Sequence, residues 1–282
     1  MNTKHYYNVG GHVFSVSRLL DFTYEPFQTQ AKKAVFDVTI KMQKFGGILK
    51  RRMKRQTEKG IGIFTGKIGE KLFYEFKLLH RRAAVLLTDK RYKKATLFVE
   101  EFPKYSIDSA LMVMYALSTA TRQTLLFHSS VVMEGGFAYM FLGKSGTGKS
   151  THSQLWMDTL SGVDLLNDDN PIVRVLPGGI IHAYGSPWSG KTPCWKNDYS
   201  VVGGIIQLDQ AKRNKIERIT EKDEAYSTIF TSVSGTPWDF RIRNGQHKTA
   251  LQLMRSVPFY HLDCRPDREA AIICHNEVRV SR

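Results

Sequence analysis

Cysteine is scarce in this chain of 282 residues, which carries three, at positions 194, 264 and 274. No two of them form a C-x-x-C pair, so the sequence indicates neither a disulfide framework nor a cysteine zinc site. Long apolar runs are also missing, because the longest weakly polar stretch, Ala110–Ala120, is too short to span a bilayer. The first residues lack the apolar centre of a signal peptide. We therefore expect a cytoplasmic protein with reduced thiols and no membrane partner.

Acidic residues are outnumbered, with 26 Asp and Glu against 41 Lys and Arg and a net charge of +15. The imbalance is uneven, since residues 1–123 hold 23 basic and 10 acidic residues, whereas residues 124–282 hold 18 and 16. The basic residues are densest between Gly46 and Gly60. Such a cluster suits a nucleic acid, a phosphorylated partner or no partner at all. It lacks interleaved aromatic residues, which favours a solvent-exposed loop and argues against a nucleic-acid partner.

The apolar content of 42% is sufficient for a core in one large or two modest domains. Short β-type runs dominate the first hundred residues, and apolar spacing predicts an amphipathic helix over Tyr105–Gln123. We predict a smaller β-rich, basic domain over residues 1–124, which includes this helix, followed by an α/β nucleotide-binding domain over residues 125–282. The β-type runs are Tyr6–Val16, Ala34–Ile40, Ile61–Phe64, Leu72–Leu79, Ala83–Thr88 and Ala95–Val99.

The most informative stretch follows an apolar run, Phe137–Leu142. It reads Gly-Lys-Ser-Gly-Thr-Gly-Lys-Ser over residues 143–150, which satisfies G-x-x-x-x-G-K-[ST], and a helix-compatible segment follows. Glycines let the backbone N–H groups turn inward and cradle a phosphate. Lys149 is then expected at the β and γ phosphates of ATP and Ser150 at Mg²⁺; the alternative is a plain glycine-rich turn. The predicted nucleotide-binding residues are Gly143, Ser145, Gly146, Thr147, Gly148, Lys149, Ser150 and Thr151.

Two carboxylates, Asp168 and Asp169, end the next predicted strand, Val163–Asp169. Nucleotide enzymes hold Mg²⁺ with an aspartate at such a strand end, which leaves the second carboxylate for another task. The alternative is a surface turn. His128 lies on the predicted strand Leu125–Met133 beside the nucleotide, or is a hydrogen-bonded core histidine. The candidate catalytic residues are His128, Lys149, Asp168 and Asp169, and the candidate metal ligands are Ser150, Asp168 and Asp169.

A segment rich in turn formers, Tyr184–Pro193, is either a connector or a lid over the substrate, and its Trp188 and Lys191 favour the lid. Its candidate substrate contacts are Ser186, Trp188 and Lys191. Elsewhere the patterns predict strands at Ile172–Val175, Ile180–Ala183, Gly204–Gln207 and Phe259–Leu262, and helices at Glu221–Ser232, Trp238–Arg255 with a break near Gly245, and Asp267–Asn276.

The glycine-rich run over residues 143–150, the Asp168-Asp169 pair and His128 together resemble the catalytic domain of bacterial HPr kinase/phosphorylase. They are more distantly similar to the nucleotide site of ATP-dependent phosphoenolpyruvate carboxykinase. The resemblance covers roughly Leu125–Thr192. It implies a phosphate-binding loop on a mixed β-sheet, a histidine on the strand before the loop, one carboxylate that activates a serine hydroxyl and a second on the metal. The resemblance leaves open which aspartate has which role.

These residues together predict ATP- and Mg²⁺-dependent phosphoryl transfer to a hydroxyl, which needs little beyond positioning and charge neutralisation. The expected acceptor is a serine of a small protein or peptide. One alternative is a carboxykinase-like lyase, and another is a regulatory module that binds a nucleotide without catalysis. ATP and Mg²⁺ are the expected ligands, no nucleic-acid partner is expected, and the oligomeric state stays open.

Overall fold

The computed structural model describes residues 3–58, 60–190, 192–235 and 239–280, and for 51–58 and 280 it describes the backbone alone. Lys59, Lys191 and Trp238, which belong to segments named above, lie outside the described residues. The chain divides into two compact units, Met1–Thr119 and Ala120–Arg282. It is an α/β chain with mixed sheets and a β-rich N-terminal unit, as predicted. In the described part, no helix has both the length and the apolar content needed to cross a bilayer.

The described residues of the first unit form eight strands, a 3-10 helix (Phe22–Phe27) and one α-helix, α1 (Pro103–Thr119). The strands are β1 (His5–Val9), β2 (His12–Val16), β3 (Phe36–Lys41), β4 (Arg51–Glu58), β5 (Ile61–Ile68), β6 (Lys71–Leu78), β7 (Arg81–Thr88) and β8 (Lys94–Val99). They form one sheet in the order β1-β2-β3-β8-β7-β6-β5-β4. Strand β3 pairs parallel with β2 and β8, and the other neighbours pair antiparallel.

Helix α1 lies on this sheet through a buried face that includes Leu111 and Met114. The hydroxyl of Tyr115 donates to the carbonyl of Val9 at 2.8 Å, which ties the helix to β1. The helix ends at Thr119, four residues earlier than predicted. The Thr119 hydroxyl donates to the carbonyl of Tyr115 at 2.7 Å, a bond back into the preceding turn that competes with helix continuation.

The basic cluster between Gly46 and Gly60 is not the loop that was predicted, because most of it forms strand β4. Its backbone pairs antiparallel with β5, from Arg51 opposite Gly66 to Glu58 opposite Ile61. The sequence, Arg-Arg-Met-Lys-Arg-Gln-Thr-Glu, lacks the apolar alternation that marks a half-buried strand. Pairing with a neighbour, which no local pattern records, makes this segment a strand.

In the second unit, the described residues form a nine-stranded mixed sheet. Its strands are β9 (Thr124–Leu126), β10 (Ser129–Glu134), β11 (Phe137–Leu142), β12 (Asp164–Asp169), β13 (Ile172–Val175), β14 (Ile181–Tyr184), β15 (Tyr199–Gln210), β16 (Lys215–Arg218) and β17 (Phe259–Cys264). Its helices are α2 (Lys149–Thr159), α3 (Lys222–Ser232), α4 (Phe240–Ser256) and α5 (Arg268–Val280), with a 3-10 turn at Pro177–Gly179. The main order is β12-β10-β11-β15-β14-β13-β9, and β17 pairs with both β15 and β16.

Two apolar clusters cover the two faces of this sheet. Helices α2 and α5 pack on one face, where Trp156 and Phe141 are fully buried. Helices α3 and α4 pack on the other, where Ile229 and Leu253 meet Met140 of β11. The alternation of Met140 and Phe141 between faces follows from the two-residue period of a strand. Strand β11 is therefore buried on both sides, which gives the segment that follows it a firm base.

Several predicted elements differ from the structure. The expected strand Leu125–Met133 is divided into β9 and β10, because the N–H groups of Phe127 and His128 donate to the carbonyls of Pro171 and Ser232 instead of to a neighbouring strand. Strand β15 extends the four residues predicted at 204–207 to twelve, with its first part paired to β14 and its last part to β17. Helix α4 runs through Gly245 without a break, and β16 was not predicted.

Candidate functional site

The candidate residues meet at one end of the strands of the second sheet, where β10 begins and β11 and β12 end. Strand β10 runs antiparallel to both β11 and β12, with Ser130 opposite Phe141 on one side and opposite Asp168 on the other. The start of β10 therefore lies beside the ends of β11 and β12. This pairing brings together His128, which precedes β10, the aspartates at the end of β12, and the loop that follows β11.

The loop after β11, residues 143–148, joins the strand to α2 and is called the glycine loop below. Gly143, Gly146 and Gly148 have φ values of 151°, 84° and 101°, which favour glycine. At Gly143 a Cβ would also lie 2.5 Å from the Thr147 hydroxyl oxygen. The Thr147 hydroxyl and N–H both donate to the carbonyl of Lys144, at 2.9 and 3.2 Å. The loop is thus held by its own bonds in a conformation that side chains at these glycines would prevent.

Helix α2 begins at Lys149 with Gly148 as its N-cap and no side-chain cap bond. Glycine has no side chain with which to cap the first-turn N–H groups, and the positive end of the helix dipole lies at the glycine loop. Ser145, Ser150 and Thr151 are exposed at this end. The side-chain amide of Gln210, at the end of β15, donates to the carbonyl of Gly146 at 3.1 Å. An anion at this end would meet N–H and hydroxyl donors.

Lys149 is buried, with 8% of its surface exposed. Its ammonium donates to the carbonyls of Gly143 at 3.0 Å and Lys144 at 3.3 Å, and lies 3.2 Å from Nε2 of His128. Burial lowers the pKa of Lys149, while the nearby negative charges of Asp169 and Asp168 act in the opposite direction. The lysine is therefore a desolvated cation folded against the glycine loop, and an added anion would stabilise its charge.

His128 connects this lysine to a carboxylate. Its Nδ1 lies 2.8 Å from Oδ1 of Asp169. Because a protonated Lys149 can only donate to Nε2, the geometry assigns a ring proton to Nδ1, which donates it to Asp169. The second oxygen of Asp169 accepts from the side-chain amide of Asn170 at 2.8 Å. The contacts Lys149–His128–Asp169 form a continuous polar chain at this end of the sheet.

The backbone of Asp169 is strained, because its φ of 145° is rare for a residue other than glycine. Asp169 forms an isolated bridge with Ser189, and the N–H of Gly190 donates to the carbonyl of Asp168. A Cβ at Gly190 would lie 3.0 Å from that carbonyl oxygen. The segment after β14 therefore approaches the end of β12 closely and holds Asp169 in a conformation that would otherwise cost about 1–3 kcal/mol.

The two aspartates have different surroundings. Asp168 is 3% exposed, and among the described residues its Oδ2 atom is buried without a hydrogen-bond partner. The hydroxyl of Ser129, opposite Asp169 in the β10–β12 register, is also buried without one. A buried carboxylate oxygen without a donor is costly. Asp168 thus has an oxygen that a cation would satisfy, whereas both oxygens of Asp169 have partners.

The segment predicted as a substrate lid contributes packing at this end of the sheet. Ser186 is fully buried, and its hydroxyl donates to the carbonyl of Asn170 at 2.7 Å and accepts from the side-chain amide of Asn167 at 3.2 Å. Trp188 is 3% exposed, and its backbone N–H donates to the Ser186 hydroxyl. Both residues support the end of β12, and Lys191 lies outside the described residues.

Sequence reasoning missed three polar residues that shape this end of the sheet. They are Asn167, whose side-chain oxygen accepts from the N–H of Asn170 at 2.9 Å, Asn170 itself, and Ser130, whose hydroxyl lies 2.6 Å from that of Ser153 on α2. The position of Asn170 directly before a proline is typical of a turn. Nothing in the local pattern indicated the Ser130–Ser153 contact, because it joins residues 23 positions apart.

His152 lies on α2 next to the candidate site, but its side chain points into the core. It is 2% exposed, and its Nε2 accepts from the indole N–H of Trp156 at 3.1 Å. Its Nδ1 is buried without a partner among the described residues. Burial lowers the pKa of His152 to about 4. The imidazole is therefore neutral in the folded chain at pH 7.

We expect the free energy of unfolding, measured without nucleotide or Mg²⁺, to fall as the pH decreases from 6.5 towards 4. The unfolded chain binds a proton at His152 near pH 6.5, whereas the folded chain resists it down to about pH 4. The resulting decrease in the free energy of unfolding amounts to about 3 kcal/mol at most. In urea denaturation, His152→Gln, which keeps an acceptor for Trp156, should remove this pH-dependent decrease. His247→Gln, at an exposed histidine, should leave it unchanged. Equal pH dependence in both variants would contradict this assignment.

Comparison with known proteins adds no family. No protein-family model matches the chain, and no curated protein matches it either. Function is therefore inferred from the residues and their geometry.

Proposed function

We propose that the chain is an ATP- and Mg²⁺-dependent phosphotransferase of the HPr kinase type, which transfers the γ-phosphoryl group to a serine hydroxyl of a small protein or peptide. The observation that carries this proposal is the polar chain Lys149–His128–Asp169 beside the glycine loop. The buried carboxylate of Asp168, whose Oδ2 has no hydrogen-bond partner among the described residues, lies at the same end of the sheet. Phosphoryl transfer needs a phosphate cradle, a cation, a metal anchor and a base, and these residues fit all four.

The glycine loop and the start of α2 would hold the phosphates. Positive-φ glycines leave room for backbone N–H groups to face an anion, and the helix N-terminus adds its dipole. Lys149 would exchange its two carbonyl acceptors for phosphate oxygens. That exchange is favourable because a charged acceptor bonds a buried ammonium more strongly than a neutral carbonyl does.

Asp168 and Ser150 would hold Mg²⁺. The buried Oδ2 of Asp168, which lacks a hydrogen-bond partner within the described part of the chain, and the exposed hydroxyl of Ser150 are hard oxygen ligands, which this ion prefers. The described residues include no group of three or more His, Cys, Asp or Glu placed to hold a metal. Protein sites for Mg²⁺ often use one or two carboxylates and complete the coordination with substrate phosphates. When bound, the ion neutralises charge on the transferred group.

Asp169 would act as the base. It accepts the proton of the acceptor hydroxyl as that oxygen forms a bond to the γ-phosphorus, and the bond to the β-phosphate oxygen breaks with its electrons leaving on ADP. His128 donates to Asp169 from Nδ1 and so orients the carboxylate. Lys149 holds His128 in the tautomer that makes this donation. The different surroundings of the two aspartates support this division, with Asp168 on the metal and Asp169 at the acceptor.

Calorimetric titration with ATP in the presence and absence of Mg²⁺ tests the metal assignment. Mg²⁺ should increase the affinity for ATP at least about tenfold less in Asp168→Asn than in the wild type, since an amide replaces a charged ligand. Asp164→Asn is the matched control, because Asp164 lies at the other end of β12 and is exposed. Full retention of the Mg²⁺ effect in a folded Asp168→Asn variant would contradict the assignment.

A further inference from the structure

Most sheet edges in the described part of the chain are covered. At β1, Tyr7 bridges to Gln28, and the N–H of Thr29 donates to the carbonyl of Tyr6 at 3.0 Å. At β9, the N–H of Ser234 donates to the carbonyl of Leu126 at 2.8 Å. At β12, the Cys194 thiol donates to the carbonyls of Leu165 and Leu166. These contacts occupy backbone groups that an edge strand would otherwise present to another chain.

Strand β4 differs from these edges. It has eight residues, whereas the edge strand β16 has four. Among the residues that the structure describes, β5 is the strand that pairs with β4, and β4 is the last strand of its sheet. The register is continuous over Met53–Gln56 and shifts on either side of that stretch. Alternate residues of an antiparallel edge strand direct their N–H and C=O groups away from the sheet, and on β4 these groups pair with no strand among the described residues.

The charge of this strand is of one sign. Its sequence has four cations, Arg51, Arg52, Lys54 and Arg55, and one acid, Glu58. Residues 1–123 as a whole have 23 basic and 10 acidic residues. Like charges opposite one another destabilise strand pairing, so a second copy of β4 is repelled at this edge. An acidic strand would instead be attracted to the cations of β4.

We propose that β4 is a docking edge for an extended acidic peptide segment of a partner protein, which pairs with β4 as a ninth strand of that sheet. Backbone hydrogen bonds from the outer side of Met53–Gln56 supply the pairing, and carboxylates of the partner neutralise the cations of the strand. Nucleic acid would meet the same charge but has no peptide groups to pair with the edge. The proposal is independent of nucleotide binding by the second unit.

The test uses a fluorescent probe, acetyl-(Glu-Thr)₄-amide, and anisotropy with the full chain at low salt. We expect saturable binding and slower amide exchange in β4. A probe of the same charge, N-methylated at two adjacent central residues so that both of its edges lose a donor, should bind at least about tenfold more weakly. The (Lys-Thr)₄ probe should not bind. Equal binding of the N-methylated probe would overturn strand pairing and leave a charge effect alone.

Variants locate the site on the chain. Lys54→Thr with Arg55→Thr removes two cations while keeping strand-forming residues, and we expect at least about tenfold weaker binding of the probe. Lys93→Thr with Lys94→Thr removes the same charge at the start of β8, an interior strand of the same sheet, and should change binding less than about twofold. The proposal would be overturned if the two pairs of substitutions had equal effects or if the probe did not bind. It would also be overturned if a single-stranded DNA bound more tightly and displaced the probe.

Discussion

Replacing Asp169 by Asn is expected to lower the rate of phosphoryl transfer at least about a hundredfold, while ATP affinity changes less than about threefold. The amide cannot accept the hydroxyl proton, although it keeps the shape of the carboxylate. The rate is measured as transfer of label from γ-labelled ATP to protein in a lysate of the source cell, with ATP hydrolysis as a second readout. Asp164→Asn, on the same strand, should transfer normally.

A double-mutant cycle separates the roles of His128 and Asp169. Because His128 is proposed to act through Asp169, His128→Asn should slow transfer in the wild-type background and add little to Asp169→Asn. Full additivity of the two losses would show that the histidine acts independently. Wild-type rates in the folded Asp169→Asn variant would mean that the carboxylate belongs to a structural turn.

Lys149→Met is expected to weaken ATP binding by about 10- to 150-fold, the loss that corresponds to removal of one charge-assisted contact worth about 1.5–3 kcal/mol. Methionine fills the buried volume of the lysine stem, and removal of a desolvated charge should leave the fold intact. Calorimetry measures the affinity, and thermal melting checks the fold.

Lys144→Met is the matched control for this variant, because Lys144 lies in the same glycine loop but is exposed. We expect its ATP affinity to stay within about fivefold of wild type, since exposed charge pairs contribute about 0–1 kcal/mol. Equal effects of the two substitutions would show that general positive charge, and not the position of Lys149, supports binding.

The sequence supported prediction of the strand, loop and helix around residues 137–159, because an apolar run, three glycines and a helix-compatible segment are all local signals. It also placed carboxylates at the end of β12. It did not predict β4, since Arg51–Glu58 lacks apolar alternation and becomes a strand by pairing with β5. The division at Phe127-His128 was missed for a similar reason, because their N–H groups bond to residues distant in the chain.

The different surroundings of the two aspartates were also beyond the sequence. Asp168 and Asp169 are adjacent and chemically identical. Only the fold gives Asp169 a histidine partner and buries an oxygen of Asp168 where no described residue bonds to it. The strained backbone of Asp169 depends on the approach of Ser189 and Gly190, some twenty residues later. Such differences arise from tertiary packing, which residue spacing does not encode.

The most direct measurement of the central claim compares γ-labelled with α-labelled ATP in the same lysate, with wild-type protein and the Asp169→Asn variant. The account predicts Mg²⁺-dependent transfer of γ-label to a protein or peptide by the wild type, a label found on serine after hydrolysis, no transfer of α-label, and at least about a hundredfold less transfer by Asp169→Asn. A wild-type protein that binds ATP and transfers no γ-label to any acceptor would contradict it.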